Sequence, residues 1–216
     1  MPGKRDTVRA LILRLLLAGI VLIASFALDG PAIGARGLVV TAVPKWLVRS
    51  LAHGGDLITL AALIAILLTC GLFLRRPRVT RAATVLASAL AVTGFVVLSL
   101  EWLASRGPDG GFYLLGAGEW AIMFPSGHTA MAFAACTVLG TVWRNARWPA
   151  WVIAVGVAAS RAILIHFLSD VVAGALIGTA VGRGVVDWAA VQGFLELDSP
   201  PQAVPPPNPR GARLEH

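Results

Sequence analysis

Long apolar runs punctuated by arginine clusters limit this chain more than any other feature. Six runs, at roughly 10–28, 56–74, 82–103, 128–143, 149–163 and 166–187, are apolar enough to be read as membrane spans. A bilayer core leaves backbone N–H and C=O groups no water to bond, so spans of this kind must be helical. The expected fold class is therefore all-α: a polytopic membrane helix bundle of six transmembrane helices. Composition agrees, with 57% hydrophobic and 13% charged residues and a mean hydropathy of +0.78, against about 25% charged in a soluble domain.

The basic residues orient the bundle. With the N-terminus inside, 13 of the 18 Lys and Arg residues fall on the inner side and five (Arg36, Lys45, Arg49, Arg106 and Arg161) on the outer side. Such an excess marks the cytoplasmic face. "RRPRVTR" (Arg75–Arg81) is the strongest anchor. The net charge of +7 is scattered between apolar runs rather than gathered in one patch, which argues against a nucleic-acid partner. Cys70 and Cys136 lie inside apolar runs and read as buried thiols, not a disulfide or a metal site.

The first run, with its basic start and "ASFA" stretch, also suits a cleaved signal peptide, but its length favours a retained span. Within 30–55, "LVVTAVPKWLVRSL" is amphipathic and fits a short helix lying at the outer interface, or an ordinary connector. His53, beside Gly54 and Gly55, reads as a turn residue. Residues 1–195 form a single transmembrane domain. Residues 196–216 are proline-rich and polar and read as a disordered cytoplasmic tail ending in a cloning scar, Leu214–His216.

Ionisable residues at membrane depth are expensive and usually functional. Glu101, Arg106, His128, Arg161, His166 and Asp170 all fall at the outer ends of their spans, so four separate pieces of chain send polar groups to one layer. In "SRAILIHFLSD", His166 and Asp170 are four apart and are expected to share a helix face, where a carboxylate fixes the imidazole tautomer. The alternative is a pair that merely satisfies itself inside the bundle. Arg161 offers a planar fork suited to phosphate. In "FPSGHTAMAFA", Ser126 is the expected N-cap of a helix whose free N–H groups face an oxyanion. Gly127 opens the approach, and His128 lies in the first turn.

These residues resemble the type 2 phosphatidic acid phosphatase superfamily, over about residues 40–190. The second motif of that family, Pro-Ser-Gly-His, is matched by Pro125–His128, and the third, Ser-Arg, five residues, His, three residues, Asp, by Ser160, Arg161, His166 and Asp170. The resemblance implies a metal-independent phosphatase with no cofactor, in which His166 is the nucleophile, Asp170 orients it and His128 is the general acid. Arg161, Ser126 and Gly127 would hold the phosphoryl oxygens. The implied reaction is hydrolysis of a lipid phosphate or diphosphate through a phosphohistidine at the periplasmic face of a bacterial inner membrane. Candidate substrates are undecaprenyl diphosphate, phosphatidylglycerol phosphate, phosphatidic acid and lipid A 1-phosphate; no obligate protein partner is implied. Lipid-to-lipid phosphotransfer and lipid-phosphate binding without turnover are the alternatives.

The chain departs from the pattern twice. Only four residues separate Arg161 from His166, which places them about 140° apart on a continuous helix at about 100° per residue. Either the chain is irregular there or the long arginine compensates. The first motif, Lys, six residues, Arg-Pro, has no lysine in place: "LEWLASRGPDG" supplies Arg106 for its arginine, which the resemblance implies is a further phosphate ligand, with Ser99 at the lysine position. Glu101 and Lys45 are further candidates for substrate binding. Trp102, Phe112, Tyr113 and Trp120 read as interfacial aromatics or as the lining of an acyl-chain entrance.

Overall fold

A computed structural model describes residues 4–107, 110–115 and 124–195. The tail, Pro108 and Trp120 lie outside them. The architecture is all-α apart from one short hairpin. Helices α1 (Lys4–Ala42), α2 (Lys45–His53), α3 (Leu57–Phe73) and α4 (Pro77–Leu103) lead into antiparallel strands β1 (Ala104–Arg106) and β2 (Phe112–Leu114). Helix α5 (Gly127–Val142), a 3-10 turn at Arg144–Ala146, α6 (Arg147–Leu164) and α7 (Leu168–Val191) follow.

Each of the six apolar runs lies in or on a helix. By length and apolarity, α1, α4 and α7 can each cross a membrane, and the α2–α3 pair, bent by 58°, adds a fourth crossing if it counts as one span. Helix α5 is apolar but has only 16 residues, about 24 Å at 1.5 Å per residue. It sits at the centre of the bundle, packed by α4, α6 and α7, so its neighbours rather than lipid surround most of it.

Two boundaries differ from expectation. Helix α1 does not stop near residue 28. It continues through Pro31 to Ala42, so residues 38–42 belong to it, and the amphipathic helix is confined to Lys45–His53. Cys136 is buried, whereas Cys70 faces outward from α3, because α3 packs mainly on α4 and leaves its other face uncovered.

Helices in lipid gain little from apolar burial against one another and pack through small residues that let backbones approach. Gly174, Gly178 and Gly182 form such a ridge on α7. A Cβ at Gly174 would fall 2.5 Å from the Ser126 carbonyl oxygen, and one at Gly178 or Gly182 would strike the backbone of Ala130 or Ala134. The ridge presses α7 against α5 and brings their N-terminal ends together. Gly55 plays the same part for α3, since a Cβ there would collide with the His128 carbonyl.

Candidate active site

The site is built where the first turns of α5 and α7 meet the corner between α6 and α7. Ser126 is the N-cap residue of α5, as expected, but its hydroxyl bonds Thr129 Oγ1 at 3.0 Å instead of capping the backbone. Its own N–H donates to the Asp170 carbonyl at 3.0 Å, tying the two helix starts together. The N–H groups of Gly127, His128 and Thr129 are first-turn donors with no intrahelical acceptor, at the positive end of the helix dipole. A Cβ at Gly127 would meet only ordinary contacts, with Val97 at 3.5 Å and Glu101 Oε1 at 3.9 Å. The half-buried Glu101 carboxylate therefore stands beside this turn.

His166 and Asp170 do not share one helix. Helix α6 ends at Leu164, and both Ile165 and His166 donate their N–H groups to the Arg161 carbonyl, at 3.1 and 3.0 Å. The backbone turns out of helical geometry at Ile165 (φ −147°), so the irregular chain, one of the two expected remedies for the short spacing, is the one observed. His166 sits in the corner, and Asp170 is the third residue of α7. Asp170 Oδ2 accepts the Phe167 N–H at 3.0 Å and lies 3.7 Å from His166 Nδ1, beyond hydrogen-bond reach. The Nδ1 edge thus faces the carboxylate and leaves Nε2 on the other edge of the ring.

Arg106 takes a different place from the phosphate contact expected of it. Its buried Nη1 donates to Asp29 Oδ2 (3.0 Å), Ser169 Oγ (2.6 Å) and Asp170 Oδ1 (3.2 Å), and its Nε donates to the Gly110 carbonyl (3.0 Å). The hairpin turn that offers this carbonyl carries Gly110 at φ +84°. The guanidinium also lies 3.9 Å over the Phe167 ring. Arg106 thus holds the Asp170 oxygen opposite the one turned to His166. Lys45 is exposed at the start of α2 and is not brought to this cluster.

Three residues enter the site that local sequence patterns did not reveal. Asp29 of α1 accepts the Ser169 N–H at 2.9 Å and the Ser169 hydroxyl at 2.6 Å, capping the start of α7 from a distant helix. Arg36, seven residues on, donates from Nη2 to the His166 carbonyl at 2.6 Å. Asp56, before α3, receives His128 Nε2 on Oδ1 at 2.6 Å and His53 Nδ1 on Oδ2 at 2.5 Å. The signal for Asp29 and Asp56 was present, since each is an acid flanking an apolar run, where carboxylates are costly. Arg161 is half-buried, and its charge acts on His128. Among the described residues no group of three or more His, Cys, Asp or Glu has the arrangement of a metal site.

The fold has known counterparts. The fold resembles that of the first transmembrane PAP2-type phosphatidylglycerolphosphate phosphatase from Bacillus subtilis, at 21% identity over 83% of this chain and 96% of that one, with a TM-score of 0.57. It also resembles LpxE of Aquifex aeolicus, at 26% identity over 72% of this chain and 94% of that one, with a TM-score of 0.56. No curated protein matches the sequence. The sequence model of the PAP2 superfamily matches residues 57–193, more than half of the chain, so the protein belongs to the PAP2 superfamily.

Proposed function

We propose that this protein is an integral-membrane lipid phosphatase that cleaves a phosphate monoester or diphosphate through a phosphohistidine on His166. The observation that carries this reading is the meeting of three elements at one end of the bundle: the free N–H groups at the start of α5, His128 held by Asp56, and the His166–Asp170 corner beside Arg161. His166 Nε2 attacks phosphorus as the bond to the leaving oxygen breaks, and His128 donates the proton that oxygen needs. Water then attacks phosphorus, the P–N bond breaks, and His128 accepts the proton from the water. Arg161 and the Gly127 backbone offset charge on the phosphoryl oxygens. Arg106, through Asp170, is a positioning residue.

The topology that goes with this reading has six spans and the site at the extracytoplasmic face of a bacterial inner membrane, supported by the arginine excess on the opposite side. One of the two solved structures that share this fold is named as a phosphatidylglycerolphosphate phosphatase, which supports a lipid phosphate as substrate.

The test is phosphate release by detergent-purified protein from a panel of phosphatidic acid, phosphatidylglycerol phosphate, undecaprenyl diphosphate and lipid A 1-phosphate, with and without chelator. Release from at least one, insensitive to chelator and abolished in His166→Ala, is expected. Undiminished release in His166→Ala would remove the nucleophile. Label passing from donor to a second lipid would assign phosphotransfer instead.

A further inference from the structure

Among the described residues only three buried side-chain polar atoms lack a hydrogen-bond partner: Arg36 Nε, Arg161 Nε and His166 Nδ1. All three belong to one corner of the molecule. His166 Nδ1 is turned toward Asp170, which leaves the two guanidinium donors unexplained. The Arg36 guanidinium grips the His166 carbonyl, and the Arg161 side chain, five residues before His166, acts on His128 across the site. Buried donors without acceptors are rare in folded proteins and call for a missing partner.

Neither arginine has an ion-pair partner among the described residues, although the Asp56 carboxylate acts on Arg161 from beyond contact distance. The nearby Asp29 and Asp170 carboxylates are taken by Arg106, Asp56 is bound by two histidines, and Arg36 and Arg161 form no ion pair among the described residues. The placement of Arg36 follows from α1 itself. Asp29 and Arg36 are seven residues apart, about two turns on the same face and about 10 Å along the axis. With Asp29 anchored on Ser169 at the start of α7, that register sets Arg36 against the preceding corner.

We propose that Arg36 is a second cationic phosphoryl ligand at the His166 corner, acting together with Arg161. It supplies from the first helix the charge that no lysine supplies before Arg106. The inference rests on the phosphatase reading above. A guanidinium bound to the His166 backbone by one arm keeps its Nε and Nη1 for a second acceptor. The acceptor it suits is a tetrahedral oxyanion with at least two charges, which one arginine alone leaves under-neutralised.

Orthovanadate, a phosphoryl mimic, serves as the probe on full-length protein in detergent. Arg36→Gln retains an N–H for the His166 carbonyl and removes the charge. We expect orthovanadate to bind this variant on the order of 100-fold more weakly, with kcat/KM on the active lipid phosphate falling in parallel, the melting temperature without ligand unchanged, and Arg36→Lys recovering most of the loss. An independent readout needs no variant: saturating orthovanadate should protect Arg36 of the native protein from phenylglyoxal, as followed by peptide mass spectrometry. If orthovanadate binds and phosphate is released, but Arg36→Gln binds the probe normally or Arg36 is not protected, Arg36 is only a staple between α1 and the corner and the proposal falls alone. If native protein neither binds orthovanadate nor releases phosphate, the phosphatase reading falls and takes this inference with it.

Discussion

Replacing Asp56 by Asn isolates the part of the mechanism that the fold alone supplied. The carboxylate bonds His128 Nε2 at 2.6 Å and His53 Nδ1 at 2.5 Å. Asn keeps the shape and one acceptor but loses the charge that favours an imidazolium. Hydrogen bonds to charged groups contribute about 1.5–3 kcal/mol. Because the two side chains are 35% and 30% exposed, water screens part of that, and the lower end, about 1.5 kcal/mol, is the better estimate. At 1.36 kcal/mol per decade this is a loss of about tenfold in kcat/KM. The loss should depend on the leaving group. In the proposed mechanism an alkyl lipid alkoxide needs a proton from His128, whereas p-nitrophenolate leaves without one. We therefore expect about tenfold loss on a lipid phosphate and little loss on p-nitrophenyl phosphate, measured as phosphate release in the same detergent. Equal losses on both substrates, or none on either, would refute the role of Asp56 in holding the acid.

Two further substitutions test the frame around the site. Asp29→Ala leaves Arg106 with Asp170 as its only carboxylate and uncaps Ser169. Breaking such a buried pair costs on the order of 3–5 kcal/mol, readable as a large drop in thermal stability in detergent, and a native-like melting curve would show that α1 is not anchored there. Gly178→Leu drives a side chain into the Ala130 backbone. It should separate α5 from α7 and abolish phosphate release, while retained activity would mean that the two helices tolerate a wider spacing.

Much of the site was legible from local pattern. "PSGH" before an apolar run announces a helix start, and Ser126 is indeed the N-cap residue of α5. The polar groups at the ends of four runs did point to one layer, since His128, Arg161, His166 and Asp170 meet there. The expected shared helix face of His166 and Asp170 failed because periodicity assumes an unbroken helix, and nothing in "AILI" announces the turn at Ile165. Arg106 lay in the right region, but its partners Asp29 and Ser169 are set by how α1 and the hairpin pack on α7. His53, read as a turn residue, ends α2 and shares Asp56 with His128.

By itself the amino-acid sequence determined the all-helical membrane class, the positions of the apolar helices and the residue types gathered at the candidate site. These depend on hydropathy and on spacings of a few residues, which are local quantities. The tertiary structure decided which carboxylate serves which histidine, where α1 docks and which arginines face His166. The contacts of Asp29 with Ser169 and of Arg36 with His166 span 140 and 130 residues, and they arise from helix packing in three dimensions, which no local spacing encodes.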